Sequence, residues 1–450
     1  MSLPPGPPLP GPAQLYFWIR HPTEFMDFCR KRYGPTFTLK LPPSKMVFLS
    51  DPEAIRTVFS ARPDEMHAGE VNRVLRALVG DQSVLLLDRA PHMRERKLLM
   101  PSFHGERMRY YGKTMVDITQ GTMATWPKTG AFSLHESTQH ITLEVILRTV
   151  FGVDEGARLV ALRDQIQRLL STAEFPLMPI ILFYLSEHPD AEARLPWRFL
   201  LRDRERTDRL LYGQIAERRG DLANGRKDVL SMLLQAKDED GQSMTDVELR
   251  DELMTALAAG HETTATALAW AFERILSHPA IYQHLRDEIA SVTDGTTPDP
   301  ERLAALPYLD ATVKEILRLR PVIPLVGRML KKPFRIGGFD LPEGTIVAPC
   351  IYLAHRNPDV YPEPNEFRPE RFLNSSPDPN AYLPFGGGVR RCIGAAFALY
   401  EMKVVLGTII AGADLKLAQS SPARVRRRAI TFWPEHGTRI SAALRPALAS

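Results

Sequence analysis

The sequence predicts a mainly α-helical protein with a smaller β-rich part, folded as a single large domain. From about residue 90 to residue 320 the apolar positions follow a helical period almost without interruption. Short alternating runs near the N terminus, and again between Phe334 and Ile351, indicate strands. The 450 residues contain no repeat and no long flexible linker, so one large domain is favoured over the two or three that the length alone suggests.

The N-terminal elements are predicted in order along the chain. Residues 1–22 are expected to form a proline-rich arm, extended over its first dozen residues, and residues 23–450 to form the domain. An amphipathic stretch follows at Thr23–Tyr33. The runs Thr36–Leu41 and Lys45–Ser50 alternate in polarity and are separated by two prolines, so they predict a hairpin-like pair of strands.

A long helix is predicted to begin near Thr245, because Thr245 and Glu248 form a capping box. The helical pattern continues to about Ser277, where His278 and Pro279 end it. About thirty residues at about 1.5 Å each give a helix of roughly 45 Å. Its largely apolar middle predicts that it passes through the core.

The composition excludes several classes of protein. A hydrophobic content of 44% and a charged content of 24% are ordinary for globular domains, and they rule out disordered, collagen-like and coiled-coil proteins. The formal net charge of +4 is mild. The arginine cluster at Arg424 and Arg426–Arg428 has no interleaved aromatic residues, so nucleic-acid binding is not expected.

The cysteines and the apolar runs indicate the compartment. Three cysteines exclude a disulfide framework, and Cys29 and Cys350 lie in apolar periodic stretches typical of buried structural residues. No secretory signal is visible at the N terminus. The longest apolar run, Phe175–Leu185, has eleven residues with two prolines, too few to span a membrane. A cytoplasmic protein without a transmembrane span is therefore expected.

The segment Phe385–Gly394 is the most informative part of the sequence, because a triple glycine leads into Cys392 and an apolar helical pattern follows. Such glycines make a compact turn whose backbone can come close to a flat ligand. The Cys392 sulfur is expected near a helix N-terminus and beside Arg390 and Arg391, and both features favour the thiolate. That thiolate would be either a nucleophile or a metal ligand.

This segment resembles the haem-binding signature of the cytochrome P450 family, whose fixed positions are matched by Phe385, Gly388, Arg390, Cys392 and Gly394. The resemblance implies a haem b cofactor (iron protoporphyrin IX) with Cys392 as the thiolate ligand of its iron. It implies further cofactor contacts in the same loop, which are Phe385, Gly386, Arg390 and Gly394. It also implies the fold of that family and makes residues 23–450 a haem-thiolate monooxygenase domain.

A second motif lies within the predicted long helix. His261-Glu262 opens a zinc-protease pattern, but the second histidine is missing at position 265, so that interpretation fails. Small residues next to this pair flatten one helix face for a planar cofactor and a diatomic gas. The segment resembles the oxygen-activating helix of the family, which implies cofactor contacts at Ala259 and Gly260 and proton management by Glu262 and Thr263. A glycine kink beside a solvated polar spot is the alternative.

Further motifs imply structural and cofactor-binding roles. Glu315 and Arg318 are spaced i, i+3, which alone is usually a surface pair. Downstream, Phe367–Phe372 resembles the family segment that supplies a second arginine, so Glu315, Arg318 and Arg371 would form a buried structural network.

His92 and Arg96 are four residues apart on one predicted helix face. The resemblance makes them donors to the haem propionates together with Arg328 and Arg390, since cations suit buried carboxylates. A merely solvated basic helix would show the same pattern.

The resemblance also implies which residues contact the substrate. These are Ala256, Ala259, Val322, Ile323, Leu325 and Phe432, with Val84–Leu87 and Phe175–Leu185 as a lid. For each of them an ordinary core position is the alternative. The lining is apolar, so a fatty acid, terpenoid, steroid or polyketide are all open as substrates.

The expected partners follow from the same interpretation. Some fifty residues follow Cys392, and no G-x-G-x-x-G motif is found, so electrons are expected from a separate ferredoxin or flavodoxin with its reductase. Arg94, Lys97 and Arg391 are either a docking patch for that carrier or simply solvated. Dioxygen and an apolar small molecule are the other expected partners, and a monomer is expected.

The function predicted from all of this is a haem-dependent monooxygenase, which inserts one atom of dioxygen into an apolar substrate by hydroxylation or epoxidation. A peroxygenase of the same fold would not need the Glu262–Thr263 pair. A haem-binding sensor or electron carrier would need no oxygen-activating alcohol. An isomerase or dehydratase of the same fold stays open.

Overall fold

The computed structural model describes residues 3–445, except for positions 43, 104–106, 154–155, 174–180, 182–183, 185–197, 223–224, 294–296, 375–377 and 420. Its α-helices, in chain order, are α1 (Gly11–Arg20), α2 (Pro22–Tyr33), α3 (Pro52–Ser60), α4 (Gly69–Asn72), α5 (Arg76–Val79), α6 (Arg89–Leu99), α7 (Arg107–Ala124), α8 (Leu134–Thr149), α9 (Ala157–Ala173), α10 (Arg198–Gly220), α11 (Val229–Gln235), α12 (Asp246–Leu276), α13 (Pro279–Thr293), α14 (Pro300–Ala304), α15 (Pro307–Leu319), α16 (Ile351–Ala354) and α17 (Ala395–Gly412). Its strands are β1 (Thr36–Leu41), β2 (Ser44–Leu49), β3 (Met66–His67), β4 (Phe132–Ser133), β5 (Arg328–Leu330), β6 (Phe334–Ile336), β7 (Phe339–Leu341), β8 (Ile346–Pro349), β9 (Ala413–Leu417), β10 (Val425–Arg428), β11 (Thr431–Pro434) and β12 (Arg439–Leu444).

The chain divides into two compact units. The first unit comprises Met1–His67, Met115–Ile141 and Thr263–Ser450, and the second comprises Ala68–Thr114 and Thr142–Glu262. All the strands named above belong to the first unit, whereas the described elements of the second unit are helices and turns. The predicted proportions, mainly α with a smaller β-rich part, are therefore observed.

The N terminus of the first unit is in part a helix rather than an arm. Residues 3–10 are extended, and Thr38 holds them by donating its N–H to the Pro5 carbonyl at 3.0 Å and its hydroxyl to the Pro4 carbonyl at 2.7 Å. The prediction of an arm over residues 1–22 is wrong for Gly11–Arg20, which form α1. This helix forms because Trp18, only 3% exposed, packs into the core.

The main sheet of the first unit has the strand order β1-β2-β8-β5-β3. β1 and β2 pair antiparallel, as the hairpin prediction requires, and Phe37 and Phe48 stack across them with ring centroids 5.3 Å apart. β2 and β8 pair parallel, which the long stretch of chain between them permits. The β-like pattern predicted after Phe334 corresponds to β6, β7 and β8.

The C-terminal strands β9 to β12 were not predicted from the sequence. β10 and β11 form a two-stranded antiparallel hairpin in which Arg427 lies opposite Phe432. The hairpin is anchored to a neighbouring helix, since the Trp270 indole N–H on α12 donates to the Phe432 carbonyl oxygen at 2.9 Å. Strands β4, β12 and β9 form a separate three-stranded sheet.

The long helix predicted from the capping box is α12, and both capping contacts are present. The Glu248 N–H donates to the Thr245 hydroxyl oxygen at 3.2 Å, and the Thr245 N–H donates to the Glu248 carboxylate at 2.7 Å. The helix is 31 residues long, so it extends over about 46 Å. Its middle turns are largely buried, as an internal helix requires.

Within the described residues, α17 is the one helix long and apolar enough to cross a membrane by length and composition. Of this stretch, 67% is buried inside the protein. Extensive burial is typical of a core helix, so α17 is weak support for a membrane span.

Candidate active site

The glycine-rich segment before Cys392 folds as a tight turn. Gly386 and Gly388 have positive φ angles of 65° and 64°, a conformation that other residues adopt at a cost. A side chain at Gly387 would place its Cβ 2.3 Å from the Phe59 ring, and one at Gly388 would place it 2.2 Å from the Phe59 carbonyl oxygen. The turn therefore packs directly on α3, and its shape requires all three glycines.

The turn presents Cys392 just before a helix. The Cys392 N–H donates to the Phe385 carbonyl oxygen at 3.0 Å, and α17 begins three residues later at Ala395. Cys392 is exposed, whereas Cys29 and Cys350 are buried, and burial raises the pKa of each buried thiol to about 12. The structural interpretation of those two cysteines is confirmed. Cys392 is the accessible thiol of the three, near a helix N-terminus that favours a thiolate.

Halfway along α12, an accessible face carries the small and polar residues singled out in the sequence. Ala256 and Thr263 are half-buried and Ala259 is exposed, and their spacing of three and four residues places them on one face. Glu262 beside them is also half-buried, whereas His261 is buried. An acid, an alcohol and two small side chains are thus grouped on a helix whose other positions are mainly core.

The buried side of this helix gives Gly260 a packing role, while the cofactor contact expected at this residue stays a prediction. A Cβ at Gly260 would lie 2.9 Å from Cδ1 of Ile146 on α8, so the glycine permits helix packing, and Ala259 is the exposed small residue. His261 pairs with the Thr142 hydroxyl at 2.9 Å, and burial lowers its pKa to about 4. A neutral, hydrogen-bonded core histidine agrees with the rejection of the zinc motif.

The predicted glutamate–arginine–arginine network is present in the first unit. Glu315 and Arg318 are fully buried and joined by two hydrogen bonds, Nε to Oε2 at 2.7 Å and Nη2 to Oε1 at 2.8 Å. Nε of Arg371 lies 3.4 Å from Oε1 of Glu315. Arg318 also donates to the carbonyls of His355 and Pro364, which ties α15 to the chain ahead of the cysteine turn.

Comparison with known proteins identifies the family. The family model for cytochrome P450 matches residues 4–437, which is nearly the whole chain. The chain belongs to the cytochrome P450 family. A relative named cytochrome P450 135B1, from Mycobacterium bovis, is 42% identical over 443 residues, which cover 98% of this chain and 91% of that protein. Another, named cytochrome P450 135A1, from Mycobacterium tuberculosis, is 37% identical over 98% of this chain and 95% of its own length.

A solved cytochrome P450 shares the fold. The retinoic acid bound cyanobacterial CYP120A1 has a TM-score of 0.80 at 26% identity, covering 99% of this chain and 100% of that one. This likeness confirms the predicted fold class. Cytochromes P450 are haem-dependent monooxygenases, so this chain is a monooxygenase oxidoreductase with a haem cofactor.

The surroundings of Cys392 are compatible with its thiolate acting as a ligand of haem iron in this cytochrome P450. The sulfur is exposed and the preceding turn is made of glycines, so little side-chain bulk stands between the backbone and a planar group. A thiolate is a donor that haem iron accepts as an axial ligand. The other two thiols are buried and held in the neutral form, so they do not compete for this role.

The four residues predicted to donate to the propionates lie two in each unit. His92 is buried and Arg96 half-buried, and both lie on α6 of the second unit with the predicted spacing of four. Arg328 is buried at the start of β5 in the first unit, and Arg390 is half-buried in the glycine-rich turn. All four residues therefore lie in a helix, in a strand or in the cysteine turn.

The predicted substrate contacts of the first unit differ in burial. Val322 is buried, whereas Ile323 and Leu325 are half-buried. Phe432 is 3% exposed and shares an apolar cluster with Trp18. Its contacts favour the alternative that its ring is an ordinary core side chain.

One of the two predicted lid segments can be described. The loop Val84–Leu87 is held against α12, because the Val84 N–H donates to the buried Glu252 carboxylate at 2.6 Å. The other segment, Phe175–Leu185, lies outside the described residues except at Ile181 and Tyr184.

The docking patch predicted for an electron carrier needs a correction. Arg94 is engaged by carboxylates on three sides, with Nε 2.6 Å from Asp238 and Nη1 2.9 Å from Glu248 and close to Glu95. These pairs fix α6 to the start of α12, so Arg94 is a structural residue. Lys97 is exposed but paired with Glu239 at 2.7 Å, while Arg391 is exposed in the cysteine turn.

Two residues that shape the site were missed by sequence reasoning. Phe59 packs against the glycine turn, yet more than 300 residues separate it from Cys392, and no local pattern marks it. Glu252 holds the Val84 loop, and burial raises its pKa well above the ordinary value. An acid among the apolar positions of α12 was a signal that could have identified Glu252.

Proposed function

We propose that this cytochrome P450 binds haem b through Cys392 and inserts one atom of dioxygen into an apolar organic substrate by hydroxylation or epoxidation. The observation that carries the proposal is the exposed Cys392 thiol, presented by a turn that only glycines allow, at the start of a core helix. When bound, haem supplies the activation of dioxygen and the one-electron chemistry that protein side chains lack.

The chain's own residues supply ligation, protons and shape. Cys392 contributes a thiolate, which the helix N-terminus and the neighbouring arginines stabilise. Thr263 holds a proton at its Oγ1 and Glu262 exchanges it with solvent, since both are half-buried on the accessible face of α12. The small side chain of Ala259 leaves space on that face, so that a planar ring and a diatomic gas could approach Thr263.

We assign the propionates of the cofactor to His92, Arg96, Arg328 and Arg390. Four donors of positive or potential positive charge suit two carboxylates, because charge-assisted hydrogen bonds are the strong ones. His92 and Arg328 are buried polar side chains, and a propionate carboxylate would accept hydrogen bonds from their N–H groups.

We propose that the substrate contacts Ala256, Ala259, Val322, Ile323 and Leu325, all of which are apolar. The retinoic acid in the similar cyanobacterial structure is a largely apolar molecule, which supports a substrate of this type. Electrons come from a separate ferredoxin or flavodoxin with its reductase, with Arg391 as a contact for the carrier. The protein acts as a monomer in the cytoplasm.

Labelled oxygen tests the proposal. Retinoic acid, a terpenoid and a steroid are screened for a spin-state shift of the holoenzyme, and a responding compound is turned over with a surrogate ferredoxin and reductase under ¹⁸O₂. One labelled oxygen atom in the product and one in water is the expected result. Product without label, or product formed only with added peroxide, would assign the chain to an isomerase, dehydratase or peroxygenase instead.

A further inference from the structure

Within the described residues, Arg427 in the arginine run of β10 has no carboxylate to match its charge. Strand alternation places Arg426 and Arg428 on one face of β10 and Arg427 on the other. Arg426 pairs with Glu435 at 2.7 Å, and the Arg428 guanidinium lies 5.5 Å from the Trp433 ring centroid. In the part of the chain that the structure describes, Arg427 has neither a carboxylate nor a hydrogen-bond acceptor as partner.

The surroundings of Arg427 are aromatic and apolar. Its guanidinium carbon lies 4.7 Å from the centroid of the Trp18 ring, and the residue is half-buried. Burial lowers the pKa of Arg427 to about 10, which still leaves it cationic near neutral pH. The ring stabilises the face of the guanidinium but accepts none of its five in-plane N–H donors. A cation with its donors unused is therefore held beside apolar surface.

That apolar surface adjoins the segment we assign to the substrate. Arg427 lies opposite Phe432, whose N–H donates to the Val322 carbonyl at 2.8 Å. Leu325 packs on the same apolar cluster as Trp18 and Phe432. One end of the proposed substrate segment is thus joined to the strand pair that carries the unmatched guanidinium.

We propose that Arg427 binds the carboxylate of the substrate, so that this cytochrome P450 acts on an amphiphilic organic acid whose apolar body packs toward Val322 and Leu325. The inference rests on the proposed function and narrows its substrate class. A single guanidinium matches a planar monoanion through two parallel hydrogen bonds, and a carboxylate has that geometry. A phosphate dianion would call for a second cation beside Arg427, and the neighbouring Arg426 and Arg428 lie on the other face of β10.

Matched ligands test the proposal. Lauric, myristic and palmitic acids, together with their methyl esters, are titrated into the holoenzyme by isothermal calorimetry and, in parallel, by the haem spin-state shift. The wild type is expected to bind at least one acid more tightly than its ester. Arg427→Gln should lower the affinity for that acid about ten- to hundredfold, which is the range for the loss of a charge-assisted hydrogen-bonded pair. The affinity for the ester should change less than about twofold.

The controls separate charge from folding. Arg424→Gln removes an exposed cation close by in the sequence and should leave both ligands unchanged, while Arg427→Lys should keep part of the preference for the acid. Equal loss of acid and ester binding in Arg427→Gln, or no binding of any of the three acids to the wild type, would overturn the proposal. Acid-selective calorimetric binding without thiolate-ligated haem would instead count against the proposed function alone.

Discussion

Alanine at Gly388 should damage the cysteine turn much more than alanine at Gly386. Both glycines have nearly the same positive φ, 64° and 65°, so alanine carries about the same backbone strain of roughly 1–2 kcal/mol at each. The two sites differ in the space that is available for a Cβ atom. A Cβ at Gly386 meets nothing closer than Cγ1 of Val326 at 3.9 Å, whereas one at Gly388 falls 2.2 Å from the Phe59 carbonyl oxygen.

The steric clash at Gly388 determines how much more stability Gly388→Ala loses than Gly386→Ala. A carbon and a carbonyl oxygen need about 3.3 Å, so the turn and α3 must separate by roughly 1 Å. Overpacking of this kind costs about 1–3 kcal/mol in addition to the strain. We expect Gly386→Ala to lower the free energy of unfolding by about 1–2 kcal/mol, and Gly388→Ala by about 2–5 kcal/mol.

The assay combines urea unfolding of the holoprotein with the fraction of haem that shows the thiolate signature. Gly388→Ala should lose thiolate-ligated haem, because Cys392 follows the displaced turn. Gly387→Ala gives an internal control: its Cβ meets the Phe59 side chain at 2.3 Å, so removal of that ring by Phe59→Ala should restore ligation there and not at Gly388. Equal losses in Gly386→Ala and Gly388→Ala would refute the packing argument.

Three further predictions concern the charge network, the proton pair and the pH dependence. Glu315→Gln leaves the fully buried Arg318 and the half-buried Arg371 without their anion and should cost about 3–5 kcal/mol in urea unfolding, whereas Glu363→Gln, in the exposed pair with Arg368, should cost less than about 1 kcal/mol. Similar costs for the two variants would contradict the structural role. Thr263→Ala should keep haem and substrate binding but raise the amount of peroxide formed per reducing equivalent by about tenfold or more. Thr264→Ala, at a buried position on the same helix, should keep product formation coupled to reductant use. Full coupling in Thr263→Ala would remove this threonine from the proton path. Burial and the nearby Glu248 raise the pKa of Glu95 from 4.5 to about 7, so the folded state keeps a proton that the unfolded chain releases, and the stability from this group should fall as pH rises between those values. Glu95→Gln should flatten that slope and exposed Glu239→Gln should not; an unchanged slope in Glu95→Gln would show that another group titrates.

The parts of the fold that sequence reasoning predicted were those with a local signal. The capping box at Thr245, the alternating strands around Pro42 and the apolar pattern after Cys392 each depend on residues a few positions apart, and each was found where expected. The helix α1 was missed, because its formation depends on Trp18 packing into a distant core rather than on helix propensity. The short C-terminal strands were missed for the same reason.

Site residues divide along similar lines. The cysteine turn could be predicted, since its glycines, arginines and cysteine are consecutive in the sequence. The packing of Gly260 against Ile146 could not be predicted, because Ile146 comes from another helix, α8. Arg94 was read as a surface cation, and only tertiary contacts with Asp238 and Glu248 show that it is structural.

The reduced carbon monoxide difference spectrum of the purified holoprotein tests the central claim most directly. A strongly red-shifted Soret band is predicted for the wild type, because the ferrous haem is held by the Cys392 thiolate. Cys392→Ser should lose that band, while Cys350→Ser, at a fully buried cysteine, should keep it in the protein that folds. A red-shifted band in Cys392→Ser, or a wild-type band at the position of histidine-ligated haem, would contradict the assignment of Cys392 as the ligand.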